Sequence, residues 1–224
     1  MTARRTFVTG ATGYLGRALL PALRDRGHEV RALVRPESKG RLTPGVEMVP
    51  GNALDHASFV EAVAPADTFV QLVGVSHPGP GKARQFLEID LVSVRESVKA
   101  AQRAGIRHFV YVSVARPAPV MKAYQAVRAE GEEIIRASGL PATFLRPWYV
   151  LGPGHWWPYG MLPLYWAAEL TPWTREGARR QGLVTLRQMT AALVEAVEHP
   201  PTGIRVVEVP EIKAGVNGAG GARS

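Results

Sequence analysis

Along its first two-thirds the chain alternates short apolar runs with longer stretches in which apolar residues recur every three or four positions. The short runs have the character of buried strands and the longer ones that of amphipathic helices. Strands are predicted at Thr6–Thr9, Glu29–Val34, Val46–Val49, Thr68–Val73, His108–Val112, Thr143–Leu145 and Arg205–Val209. Helices are predicted at Tyr14–Arg26, Ala57–Val63, Ala83–Ala104, Met121–Ala137 and Gln188–Glu198. Pro21 lies inside the first helix and predicts a kink or an early end there. Gly27, Gly105 and Gly139 each close a helical stretch, where a residue that tolerates the left-handed conformation stops a helix at little cost. Strands alternating with helices make βαβ units, and right-handed crossovers stack such units into one doubly wound parallel sheet with helices on both faces, an α/β fold.

Between Trp148 and Trp173 the alternation stops, and all five tryptophans fall in that window. The expectation is a single domain over residues 1–210, in which 148–187 form a small aromatic-rich, lid-like elaboration. The Gly-rich end lacks large apolar side chains to offset its ordering entropy, so 211–224 are expected to form a disordered tail. A length of 224 residues suits one α/β domain with a full core. No apolar run approaches the roughly 20 residues needed to cross a bilayer. Strand-like sequence from Thr6 onward leads to the expectation of no secretory signal. The absence of cysteine excludes disulfides, thiolate metal sites and cysteine nucleophiles, and fits a cytoplasmic location. The six histidines show no ligand-pair spacing, so no metal site is expected. The net charge of +8 is scattered, with acidic residues interspersed, which argues against a nucleic-acid surface and fits in part an anionic cofactor.

The candidate chemistry begins at the first strand–helix junction, Thr9-Gly10-Ala11-Thr12-Gly13-Tyr14-Leu15-Gly16. Gly10 suits a tight turn, Gly13 a close approach of backbone to a pyrophosphate, and Gly16 close helix packing, while the helix N-terminus offers amide donors and a favourable dipole. These are the features of a Rossmann dinucleotide site. At the end of the second strand, where an NAD site places Asp or Glu, this chain has Arg31, Arg35 and Lys39. The Arg35 guanidinium suits a ribose 2′-phosphate, so NADP(H) is favoured over NAD(H).

With these features the chain resembles the short-chain dehydrogenase/reductase superfamily, in its extended and atypical NAD(P)H-binding branch. The resemblance continues through Gly51-Asn52-Ala53-Leu54-Asp55, Tyr111-Val112-Ser113, the helix from Arg128 to Leu140, and Leu145-Arg146-Pro147-Trp148-Tyr149-Val150 up to Gly154. It implies that Asn52 and Ala53 meet the adenine, with Asn replacing the usual Asp. It also implies that Leu72, Val73, Gly74 and Val75 line the cofactor, and that Pro147, Trp148, Tyr149 and Val150 lie beside the nicotinamide. The family's catalytic set is Asn, Ser or Thr, Tyr, and a Lys four residues after the Tyr. Here Tyr124 and Arg128 have that spacing, which puts both on one helical face. Asp90 stands at the Asn position, Ala115 at the serine position, and Ser113 nearer the strand end. Arginine keeps the positive charge that favours a phenolate but cannot relay protons.

The aromatic segment, with His155, Trp156, Trp157, Tyr159, Met161, Tyr165, Trp166 and Trp173, admits three readings. It is a pocket for a hydrophobic substrate, a surface that meets a membrane interface or a protein partner, or a small second core. Nearby Arg175, Arg179 and Arg180 form a solvated face or an anion site. The functional expectation is an NADP(H)-dependent oxidoreductase acting on a small hydrophobic carbonyl or quinone-like substrate, with Tyr124, Arg128 and Ser113 as its catalytic group. Its rivals are a non-catalytic NADP(H)-binding sensor or accessory subunit and, more weakly, a nucleotide-sugar epimerase or dehydratase.

Overall fold

A computed structural model describes residues 3–76, 78–118, 120–153 and 182–218. Seven parallel strands form the main sheet: β1 (Arg5–Thr9), β2 (Glu29–Val34), β3 (Glu47–Pro50), β4 (Thr68–Gln71), β5 (His108–Val112), β6 (Ala142–Arg146) and β9 (Ile204–Glu208). Their spatial order is β3-β2-β1-β4-β5-β6-β9. The expected doubly wound α/β sheet is therefore the observed one.

Alternation along the strands explains both faces. Phe7, Phe69 and Phe109 stand in register on β1, β4 and β5, and their neighbours Val8, Val70 and Val110 stand in register on the other side. The phenylalanine side stacks, with ring centroids 5.3 Å apart for Phe7 and Phe69 and 5.2 Å for Phe69 and Phe109. It is covered by α3 (Val92–Arg103) through Val94 and Val98, and by α4 (Lys122–Ala137) through Ile135. The valine side is covered by α1 (Tyr14–Asp25) through Leu19, Leu20 and Leu23, and by α5 (Leu186–Glu198) through Met189, Leu193 and Val197. A capping box of Thr185 and Gln188 starts α5.

The chain runs from β1 to β2 on one side and later returns to β4 on the other, so the crevice at the carboxyl ends of β1 and β4 is the topological switch point. Gly27, Gly105 and Gly139 all have positive φ, as their places after helices require. Pro21 does not end α1, which continues to Asp25.

Other expectations differ from the structure. The helix expected at 57–63 is two single 3₁₀ turns, His56–Ser58 and Val60–Ala62. Its apolar signal came from Phe59, Val60 and Val63, which anchor an irregular segment in the core. The helix expected from Ala83 is a short α2 (Ala83–Gln85), then a π-turn over Phe86–Leu91, then α3. The wider turn carries Phe86, Asp90 and Leu91 inward together, a placement that 3.6-residue periodicity does not foresee. Strand β4 ends at Gln71, which frees residues 72–75 as a loop. The tail expected from 211 begins as helix, α6 (Val209–Gly218), because Val209 and Ile212 are fully buried in the valine-side core. Parallel to each other, β7 (Tyr149–Leu151) and β8 (Leu183–Thr185) form a small second sheet that the strand pattern missed. Within the expected lid-like segment, 154–181 lie outside the described residues. No described helix is long and apolar enough to cross a membrane.

Candidate dinucleotide cleft

At the end of β1, Gly10 turns the chain with φ of +73°, and the Gly13 amide donates to the Gly10 carbonyl over 3.0 Å. A Cβ on Gly10 would stand 2.6 Å from the Leu72 carbonyl carbon, so the turn passes directly against the loop after β4. A Cβ on Gly16 would collide with the carbonyl oxygens of Ala11 and Gly10, the latter at 2.5 Å. The third glycine thus serves the packing of the helix on its own turn. Gly13 is exposed and opens α1, which has no side-chain cap and no acidic residue in its first turn. An uncapped helix N-terminus above a glycine cradle suits a pyrophosphate. Thr12, Tyr14 and Leu15 are half-buried around it, and the Tyr14 phenol lies against Gly152, where a Cβ would meet it.

On one side of this turn lie β2 and β3. Arg35 immediately follows β2, is 65% exposed, and has Glu37 as an exposed neighbour 3.4 Å away. Such a pair contributes little, and the guanidinium remains able to meet an anion. Asn52 is exposed after β3, its Oδ1 accepting from the Leu54 amide in a local turn, with Ala53 half-buried beside it. Arg31 differs from Arg35 in its partners, while Lys39 is exposed as Arg35 is. Arg31 is bound to Glu47 and to the carbonyls of Ala62 and Ala64. Nearby, among the described residues, one candidate ligand atom from each of Asp55, His56 and Glu96 lies within 4.8 Å of the others. Glu96 is already engaged by Lys99 and His56. Burial would raise its carboxyl, but these hydrogen bonds bring it down to about 2.

The other side, at the ends of β4 and β5, is organised by one ion pair. Arg128 is buried, and its Nη2 donates to Asp90 Oδ1 over 2.6 Å while its Nη1 donates to the Val112 carbonyl over 2.9 Å. The remaining Asp90 oxygen accepts the Val75 amide over 2.9 Å. A Cβ at Gly74 would fall on the Arg128 guanidinium and 3.2 Å from Asp90 Oδ1, so the loop 72–75 closes over the pair only because residue 74 is glycine. Tyr124 does share the helical face of Arg128. The guanidinium carbon lies 5.1 Å from the Tyr124 ring centre and 5.7 Å from that of Tyr111. Tyr124 is half-buried and packs on Phe86 at 5.1 Å. Burial would lower the Arg128 pKa, but Tyr124, Tyr111 and Asp90 outweigh it and raise it. The Tyr111 phenol, fully buried, is pushed up to about 12 by desolvation. Burial likewise raises the Asp90 carboxyl, against the pull of Arg128 and the Val75 amide.

Ser113 has a different setting from that expected. It is 2% exposed, and its hydroxyl donates to Glu132 Oε1 over 2.6 Å. Glu132, fully buried, also accepts from Arg146 Nε at 2.8 Å, Arg116 Nη2 at 2.7 Å and Arg136 Nη2 at 3.1 Å. Burial would raise this carboxyl, but its hydrogen bonds to Arg146 and Ser113 lower it. Glu132 escaped the sequence reading. Its position four residues after Arg128 on the buried face of α4 was the available signal. Ala115 is buried and donates its amide to the Pro147 carbonyl, which ties the end of β5 to the segment after β6. In that segment Pro147 is buried, Trp148, Tyr149 and Val150 are half-buried, and Trp148 and Val150 lean on the valine-side core. The residues expected to meet the cofactor thus follow the carboxyl ends of β1 to β6. The other four tryptophans lie outside the described residues.

Residues 10–153 match a protein family described as NAD(P)H-binding. Among curated relatives, a ceramide reductase of Caulobacter vibrioides is 28% identical over 211 residues, 92% of this chain and 64% of that protein. A 3-diazoavenalumate denitrifying reductase of a Streptomyces species is 30% identical, covering 89% of this chain and 74% of the relative. The chain therefore spans less than two-thirds of the length of the ceramide reductase. Among solved structures, the Bordetella bronchiseptica enzyme WbmH in complex with NAD+ superposes with a TM-score of 0.69 at 21% identity, covering 99% of this chain and 84% of that one.

Proposed function

From the membership of this chain in the NAD(P)H-binding family of Rossmann-fold proteins, within the short-chain dehydrogenase/reductase superfamily, we propose that it is an NADP(H)-dependent oxidoreductase of small hydrophobic carbonyl or quinone-like substrates. The observation that carries this reading is the Tyr124–Arg128 pair at the open ends of β4 and β5, with Arg35 waiting at the end of β2. The pyrophosphate is assigned to the N-terminus of α1 and the 2′-phosphate to Arg35, whose fork matches it. Asn52 and Ala53 border the adenine half, and Leu72 to Val75 with Pro147 to Val150 border the nicotinamide half. The reductase relatives support a carbonyl-type reduction.

A dihydronicotinamide held between Leu72 to Val75 and Pro147 to Val150 would, when bound, supply the hydride that such a reduction needs. The Tyr124 phenol gives its proton to the carbonyl oxygen, so the product is an alcohol. Arg128 lies against the Tyr124 ring and so holds it at the ends of β4 and β5. Because an arginine does not release its proton, Tyr124 regains its own from solvent. Ser113 is assigned a supporting role, holding the end of β5 through Glu132.

NADPH oxidation with a panel of aldehydes, ketones and quinones tests the proposal. Tyr124→Phe is expected to abolish turnover while the dissociation constant for NADPH stays put, and unchanged turnover in this variant refutes the assignment of Tyr124. One observation favours a second reading. Arg128 is committed to Asp90 and the Val112 carbonyl, so these donors are already used within the protein. Tight NADPH binding with no turnover of any carbonyl or quinone supports that sensor or accessory-subunit reading.

A further inference from the structure

The ion pair of Asp90 and Arg128 joins four separate elements. Asp90 sits on the π-turn, Arg128 on α4, Val112 at the end of β5, and Val75 on the loop after β4. Among the described residues, Asp90 is the carboxylate in ion-pair reach of Arg128, and its side chain is fully buried while that of Arg128 is 7% exposed. The nearest acidic neighbour along the π-turn, Glu88, is exposed and bound to Arg84 instead. A pyrophosphate at the N-terminus of α1 divides the crevice into two halves. Arg35 and Asn52 border the half over β2 and β3, which leaves the half over β4 and β5 for the nicotinamide. The Asp90–Arg128 pair stands at that second half.

We propose that Asp90 is a positioning residue that keeps the nicotinamide end of the cleft electrically neutral by holding Arg128 in a closed ion pair, and so sets the relative affinity for oxidised and reduced dinucleotide. This rests on the assignment of the β4–β5 half to the nicotinamide, and not on any turnover. The oxidised ring carries a formal positive charge that the reduced ring lacks. An uncompensated guanidinium therefore repels the oxidised form and leaves the reduced form nearly unaffected. A single unbalanced charge within about 10 Å in a partly buried site changes affinity by about tenfold. Gly74 belongs to the same device, because only a residue without a Cβ lets the loop close over the pair.

The test measures dissociation constants of the full chain for NADP+ and NADPH by titration. In Asp90→Asn, which keeps the shape and removes the negative charge, the ratio of the NADP+ constant to the NADPH constant rises by about tenfold. In Arg128→Gln, titrated at alkaline pH so that the buried Asp90 carboxyl stays ionised, the ratio falls below that of the unaltered protein. The double variant restores neutrality and brings the ratio back. Opposite shifts in the two single variants are the signature of charge, since a merely structural role moves both in one direction or neither. Single variants that shift the ratio the same way, or a double variant that stays displaced, overturn the proposal. If Asp90→Asn does not fold, Arg128→Gln decides alone, and a ratio unmoved or raised overturns the proposal. A protein that turns over none of the carbonyls or quinones still yields these ratios, so the catalytic reading and this one fail separately. Absence of binding to both nucleotides overturns both.

Discussion

Glu132→Gln removes one negative charge from a site where three arginines converge. The carboxylate accepts from Ser113, Arg116, Arg136 and Arg146, and it is fully buried. Glutamine preserves the length of the side chain but replaces one acceptor oxygen with an NH₂ that faces donors. Breaking a buried pair by removing one partner costs about 3–5 kcal/mol. Here the loss falls toward the lower end, because the arginines are 15–31% exposed and two keep other carboxylates, Arg136 with Glu133 and Arg146 with Glu208. A loss of about 3 kcal/mol lowers the Tm of a domain this size by roughly 6–12 °C. The assay is thermal unfolding at neutral pH, followed by a pH series. Folding holds the Glu132 carboxyl below its ordinary 4.5, so the unfolded chain takes up the proton first as the pH falls. The stabilisation is fully present above the unfolded value and is lost as pH falls through the folded one. The variant should lack that part of the acid slope. A Tm within 2 °C of the unaltered protein, about 1 kcal/mol or less, would show that the arginines are satisfied without the carboxylate and refute the reasoning.

Three further outcomes are expected. Burial, with the Arg4 charge, pushes His108 down to about 4 from 6.5, so the unfolded chain binds the proton first and about 3 kcal/mol of stability is lost between these values as the pH falls; urea unfolding of His108→Gln against pH should show no such loss. Arg35→Ser should weaken NADPH binding about tenfold or more and leave NADH unchanged, since a hydrogen bond to a charged group contributes about 1.5–3 kcal/mol; an equal effect on both nucleotides sinks the 2′-phosphate assignment. Gly16→Ala forces a Cβ to within 2.5 Å of the Gly10 carbonyl oxygen, so the turn must shift and nucleotide binding should fall sharply, and an unchanged dissociation constant contradicts this.

The sequence alone determined the class of fold and the place of the cofactor turn, because both rest on local rules. Strand alternation and helical spacing repeat every two and 3.6 residues, and the three glycines of the turn act within seven positions of one another. Spacing also put Tyr124 and Arg128 on one face. The tertiary structure decided what those residues do, because their partners are distant in sequence. Asp90 is 38 positions from Arg128, and the π-turn that aims it inward has no periodic signature. Ser113 read as a site residue, yet its hydroxyl meets Glu132, 19 positions on, across the gap between β5 and α4. Gly74 read as a lining residue, and only the fold shows that it makes room for a guanidinium. The helix at 209–218 was hidden by its glycines, since the burial of Val209 and Ile212 that holds it comes from the sheet and α5. Local pattern settles which elements form, and long-range desolvation settles which polar groups must find each other inside them.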